Sequence, residues 1–415
     1  MNPSDLTSIP ARRHYQCLDA WRGIACLMVV AFHSSNDGYA TAAAPGSGTG
    51  FAGIGGSLLK IVSLMWVGVP IFFVISGYCI ASASDSAREH RRGLGAFIFR
   101  RFRRIHPTYW AALAFAIALI WGVSFVGWPE LFHDGIHPIP RLSSLTWGNW
   151  AGNVALIETW RAPLFGGDYR FVAAQTWTLC YEERFYLICG LLVAIVPCRF
   201  FLGVGAVSVL VATRVILTWL IPSYPNISGV FFDGRWFLFA VGVSVYYRIH
   251  HATGAAPRLL PPSLAAIALG GFAGRSALFA SLGSQLVIEM IVGGLCGAAL
   301  ILLWGSDVRL ASLRALRPLS WCGTRSYSID LVHWTACKAV SRTLWMAGFR
   351  DVWSTLLVSI PVALGTSFLL GWGLFTLVER RFCNRPHKGP STSPDSPPSA
   401  PRRSVPTISL VGVAS

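Results

Sequence analysis

Arg22 and His33 lie eleven positions apart within one apolar run, residues 18–33, which also carries Asp19 near its start. On an α-helix that spacing is about three turns, roughly 16 Å of rise, with the two side chains only about 20° apart around the axis. One face of a membrane-length helix would therefore hold a fixed cation at one depth and a proton acceptor at another. Neither is cheap to place in lipid, so each needs a bundle interior or a water-filled cavity. An imidazole takes a proton from a hydroxyl near neutral pH. The pattern suggests a reaction carried out across a membrane.

Four further groups carry chemistry. Arg100, Arg101, Arg103 and Arg104, followed by His106 and Pro107, form a basic cluster directly before an apolar run. Guanidinium forks bind phosphate bidentately, so the cluster either holds a phosphorylated ligand or signals topology. Glu182, Glu183 and Arg184 follow Trp177 just inside a span. Adjacent helical residues point about 100° apart, so the two carboxylates cannot face one partner. The stretch from Trp66 to Tyr78 sets Ser76 and Gly77 among aromatics, a small-residue step that reads first as close helix packing. Asp330 and His333 are three apart and share a helix face, where they either line one cavity or satisfy one another. Glu289 is a lone acid with no assigned role.

The elements that must position these residues are membrane helices. Of 415 residues 53% are hydrophobic and only 13% charged, against about 25% charged in a soluble domain. The composition predicts an all-α polytopic bundle. Ten apolar runs have the required length, near 18–36, 61–83, 108–127, 176–197, 200–221, 232–248, 260–274, 284–304, 325–346 and 352–378. The first is read as a retained membrane helix rather than a cleaved leader. The net charge of +16 is distributed by topology and points to no nucleic-acid partner. With the N-terminus inside, 23 of the 34 basic residues fall on the cytoplasmic side. That bias predicts both termini cytoplasmic and an even number of spans.

The expected division is a cytoplasmic N-terminal segment over 1–17, a transmembrane domain over 18–383 and a disordered Pro- and Ser-rich tail over 384–415. Two outer segments are long, 37–60 and 128–175. The second holds Trp128, Trp147, Trp150, Trp160, Tyr169, Glu130, Asp134, Glu158 and Asp168, which suits either sugar binding or interfacial anchoring. The ten cysteines show no zinc spacing and are read as structural, and no metal site is expected.

Taken together these motifs resemble the acyltransferase-3 family of integral membrane acyltransferases over roughly residues 15–385. The resemblance rests on Arg22 with His33, on the stretch Phe72 to Tyr78, on Arg101, Arg104, Ile105 and Pro107, on Trp177, Leu179 and Glu182, and on Ser326, Tyr327 and Ser328 before His333. It implies transfer of an acyl group, usually acetyl, from cytoplasmic acyl-CoA to a hydroxyl on the far side. Such acceptors are glycans or glycolipids, often lipopolysaccharide, exopolysaccharide, peptidoglycan or a lipochitooligosaccharide, and sometimes a macrolide. The location expected with the resemblance is the bacterial inner membrane, multi-pass. It implies His33 and Glu182 as catalytic residues, with Arg22, Arg101 and Arg104 binding the donor. Glu183, Trp177, Ser76, Tyr78 and His333 stand as further substrate-binding positions. No permanently bound cofactor is implied; acetyl-CoA is a substrate. Asp330 departs from the family pattern, where many relatives carry an aromatic or aliphatic residue. No hydrolase-like domain follows the last span, so transfer within the bundle or handover to a separate protein is expected. The alternative is a secondary transporter using intramembrane Glu, His and Asp as a proton relay, although neither the inverted repeats nor the paired broken helices common in transporters are found.

Overall fold

A computed structural model describes residues 15–36, 53–133, 138–221, 234–252 and 284–382. Among the described residues the regular structure is helical, with no strand. The expected span at 260–274, the segment 37–52 and the tail beyond 382 lie outside them.

The helices that matter for the site are α1 (Leu18–Asn36), α2 (Gly53–Ser63), α3 (Gly68–Glu89), α4 (Leu94–Phe125), α5 (Trp147–Val154), α6 (Glu158–Phe165), α7 (Trp177–Ile195), α8 (Phe200–Leu220), α9 (Trp236–His250), α10 (Ser284–Leu303), α11 (Arg317–Gly323), α12 (Ser326–Met346) and α13 (Ile360–Leu374). Five stretches are long and apolar enough to cross a membrane: Gly53–Glu89, Leu94–Phe125, Pro197–Leu217, Gln285–Ser312 and Val352–Phe382. With them the chain reads as a membrane protein. Helices α1, α7 and α12 do not reach that standard. Each is interrupted by polar residues: Asp19, Arg22 and His33; Glu182, Glu183 and Arg184; Asp330, Lys338 and Arg342. A helix whose polar side faces protein needs no apolar surface all round.

Two crossings are set by glycine. A Cβ on Gly77 would stand 2.1 Å from the Phe239 carbonyl oxygen, and one on Gly242 would stand 2.0 Å from that of Val74. Helices α3 and α9 thus touch backbone to backbone, the close packing that the small-residue step at Ser76–Gly77 predicts. On the other side of the bundle a Cβ on Gly323 would stand 1.6 Å from the Asp19 carbonyl oxygen, which clamps α11 to α1. Behind α3 the rings of Phe73, Phe185 and Phe239 pack at 4.5–4.7 Å between centroids. They join α3, α7 and α9 into one apolar core. Asp307 fixes the approach to α1, accepting the backbone N–H of Gln16 at 2.7 Å and of Cys17 at 2.8 Å.

Helix α4 begins well before the apolar run at 108–127 and runs unbroken through the arginine cluster and Pro107. The cluster is therefore part of the helix rather than a rim preceding it. Tyr327 ties this stretch to α12 by donating its hydroxyl to the Ile105 carbonyl at 2.9 Å.

Between α4 and α7 the segment that carries α5 and α6 folds on itself. Glu158 is fully buried. It accepts hydrogen bonds from Asn149, from the Arg161 guanidinium and from the backbone N–H of Arg170, each at 2.8–2.9 Å. This acid holds the segment together and is not offered to a ligand. Trp147 is 90% exposed.

Candidate active site

Helices α1, α3, α4, α7 and α12 enclose a cavity of about 130 Å³, closed on one side by Glu379 from the end of the last span. Of the ten residues singled out in the sequence, five line it: Arg22, Ser76, Arg101, Arg104 and Glu182. Arg104 and Thr324 are exposed, which marks the mouth. Val29, Val69, Phe72 and Phe73 supply apolar lining.

Arg22 is oriented from two directions. Its guanidinium lies 3.3 Å from Asp19 on its own helix and donates to the Cys79 sulfur of α3 at 3.0 Å. Arg101 and Arg104, three apart, share a helix face. The Arg101 guanidinium sits 5.0 Å above the Tyr186 ring. Such stacking fixes the plane of the fork while leaving its N–H edge able to bind an anion.

Glu182 accepts the Ser76 hydroxyl at 3.0 Å and also accepts the Tyr186 hydroxyl from the next turn of α7. Two residues 106 positions apart in sequence are thereby joined across the cavity wall. Glu183 points elsewhere: its carboxylate lies 3.5 Å from His106 Nδ1 on α4. The expectation that adjacent carboxylates serve different partners holds, and Glu182 is the one in the cavity.

The remaining four lie outside the cavity lining. Trp177 is edge-on to Phe73 and Tyr181, and its ring receives the Arg235 guanidinium at 5.0 Å. Arg235 in turn donates to both oxygens of Glu289, at 2.7 and 3.0 Å, which gives the unassigned acid a structural partner. Tyr78 is two residues beyond Ser76 and so about 200° around α3. It belongs to a separate cluster with Tyr15, Tyr246 and His250, bonded to His250 Nε2 at 3.0 Å. His33 is one turn past Val29 on the same stripe of α1. His333 is one turn past Asp330 on α12. Their rings meet at 5.1 Å between centroids, with Trp334 edge-on to His33 at 4.6 Å. The arginines thus line the cavity, Arg104 at its exposed side, and the two histidines meet one another one helical turn past the cavity residues Val29 and Asp330.

Two carboxylates of the cavity escaped the sequence-based site assignment. Asp330 lines it and also meets His333, so both readings of that pair apply. Glu379 lines it and accepts the Ser328 hydroxyl. The expected last span stops at 378, because Glu379 followed by Arg380 and Arg381 reads as a polar flank. In the structure Phe375–Glu379 is a π-helical turn. Its extra residue rotates the helix and turns Glu379 inward, a distortion common at functional sites. Among the described residues no group of His, Cys, Asp or Glu is arranged to hold a metal, and the nine described cysteines are free thiols.

An acyltransferase-domain family model matches residues 15–372. The chain belongs to the acyltransferase-3 family. It is also similar to the peptidoglycan O-acetyltransferase OatA of Listeria monocytogenes serovar 1/2a (strain ATCC BAA-679 / EGD-e), 24% identical over 372 residues. That alignment takes in 84% of this chain and 53% of the relative, so the chain spans about half the length of the curated protein it matches. No solved structure matches.

Proposed function

We propose that this protein is a membrane O-acyltransferase that moves an acetyl group from cytoplasmic acetyl-CoA to a hydroxyl of a glycan or glycolipid on the far side of the bacterial inner membrane. One observation carries the reading: in a member of an acyltransferase family, Arg22, Arg101 and Arg104 line one cavity, and His33 sits one helical turn past its lining residue Val29, against His333. The similarity to a peptidoglycan O-acetyltransferase supports a glycan acceptor.

In this reading the three guanidinium groups hold the phosphates of CoA, the strongest use of planar cationic forks. The acyl thioester points along the apolar walls toward the histidines. His33 takes the proton of the acceptor hydroxyl as that oxygen attacks the thioester carbon. CoA leaves as thiolate and recovers the proton. Glu182, held by Ser76 and Tyr186, balances the positive charge along this path. Five helices long and apolar enough to cross a membrane are in keeping with a donor and an acceptor on opposite sides.

The test uses the purified chain in lipid nanodiscs with radiolabelled acetyl-CoA and an oligosaccharide acceptor. Label should appear on the glycan, and mass spectrometry should show one acetyl unit added. Failure to transfer or hydrolyse acetyl-CoA under any acceptor condition would overturn the reading.

A further inference from the structure

His333 has no exposed surface, yet its two ring nitrogens are in unequal positions. Nδ1 lies 2.6 Å from the backbone carbonyl oxygen of Asp330. A carbonyl only accepts, so Nδ1 carries the hydrogen and donates it. In the neutral ring that leaves Nε2 as a bare acceptor. Nε2 is buried and meets no hydrogen-bond partner among the described residues. A buried acceptor without a donor is destabilising and calls for an explanation. The ring lies against His33, at 5.1 Å between centroids and tilted by 40°. At that separation nitrogens turned toward one another come within hydrogen-bonding reach.

We infer that His333 is a positioning residue for His33: its Nε2 accepts an N–H from His33 when His33 takes up the proton of the acceptor hydroxyl. The inference rests on the O-acyltransferase reading above and specifies a role that His333 plays through another side chain rather than on the substrate. The proton balance is closed. The acceptor oxygen forms its bond to the thioester carbon, the carbon–sulfur bond breaks, and the hydroxyl proton goes to one nitrogen of His33. The imidazolium that results has a second N–H, and the lone pair on His333 Nε2 stabilises it. The first proton then passes to the departing CoA sulfur, giving CoA thiol and neutral His33. Asp330 completes the arrangement. Its carbonyl fixes the His333 tautomer, and its carboxylate oxygen lies 3.6 Å from Nδ1 while also lining the cavity. An acid at this position on α12 thus connects the cavity to the histidine pair.

Two amide substitutions separate this role from a structural one. In His333→Asn the short side chain keeps a donor near Nδ1, so the bond to the Asp330 carbonyl survives and the Nε2 acceptor is lost. In His333→Gln the longer side chain puts an amide oxygen near Nε2 and gives up the Nδ1 anchor. Acetyl transfer is measured on detergent-purified wild type and both variants, with kcat and the acetyl-CoA KM determined separately. H333N should lose about 100-fold in kcat, the scale of a lost contribution to proton transfer, with KM within twofold of wild type. H333Q should recover at least tenfold of that loss. A merely structural histidine gives the reverse order, with H333N tolerated and H333Q damaged, and that result overturns the inference. So does a parallel change of kcat and KM in H333N, or equal activity in the two variants. An inactive wild type would instead defeat the O-acyltransferase reading itself, so the two failures are distinguishable.

Discussion

At the scale of single residues, the cavity assigns different work to side chains that look alike in sequence. Glu182 and Glu183 are neighbours, but only Glu182 reaches Ser76 and the cavity, while Glu183 lies beside His106. Glu182→Gln should therefore cut turnover at least tenfold more than Glu183→Gln, with acetyl-CoA affinity little changed in either; steady-state kinetics of the two purified variants checks this. In the proposed reaction the arginines act on the donor. Arg101→Ala and Arg104→Ala should each weaken acetyl-CoA binding by about 1.5–3 kcal/mol, the net worth of a hydrogen bond to a charged group, as read by calorimetric titration. The loss should be smaller for dephospho-CoA, which offers one phosphate fewer. His33→Ala should abolish transfer while leaving donor affinity within twofold, because His33 stands beyond the cavity that Arg22, Arg101 and Arg104 line.

At the scale of elements, glycine decides how closely the helices approach. Gly77 and Gly242 bring α3 against α9, and that contact holds Ser76 opposite Glu182. Gly77→Leu cannot be accommodated without separating the two backbones. It should lower the melting temperature of the purified protein and, by moving Ser76, reduce turnover even in the fraction that remains folded. Overpacking of this kind costs about 1–3 kcal/mol or more. Much of this level was legible in the sequence. The face shared by Arg22 and His33 and the divergent orientation of the two glutamates follow from helical periodicity, whereas the pairing of Arg101 with Arg104 comes from the family resemblance. Tyr78 and Glu379 were not. Tyr78 lies within the same motif as Ser76 but about 200° away, and a linear motif does not record which face is buried. Glu379 is turned inward by a π-helical turn, and a reading based on 3.6 residues per turn has no place for the extra residue.

At the scale of the whole molecule, hydropathy and cavity residues are distributed unevenly among the helices: α3 and α4 lie in stretches long and apolar enough to cross a membrane and still carry Ser76, Arg101 and Arg104 of the cavity. Apolar content identified the long outer stretches, and the five helices that satisfy both length and hydropathy are among them. The inner helices α1, α7 and α12 also stand among the ten apolar runs read in the sequence, but Arg22, Glu182 and Asp330 dilute their hydropathy, and they fall short of the standard that the five meet. The arginine bias further predicts that both termini face the cytoplasm. Reporter fusions at either end, active only on one side of the membrane, should give the same cytoplasmic signal; opposite signals would require an odd number of crossings.

The same inner helices have a consequence for biogenesis. A charge at the centre of a span adds about 2.5–3.5 kcal/mol to the free energy of leaving the translocon for lipid. Helix α7 carries three charges in succession, and α12 carries Asp330, Lys338 and Arg342. Neither is suited to partition alone. They must be retained until neighbouring helices have been synthesised to receive their polar sides, so the protein is committed to inserting its cavity-lining helices as part of a group. In a glycosylation-mapping assay, α12 presented as an isolated segment should largely fail to integrate, whereas α12 followed by α13 within the full chain should integrate efficiently.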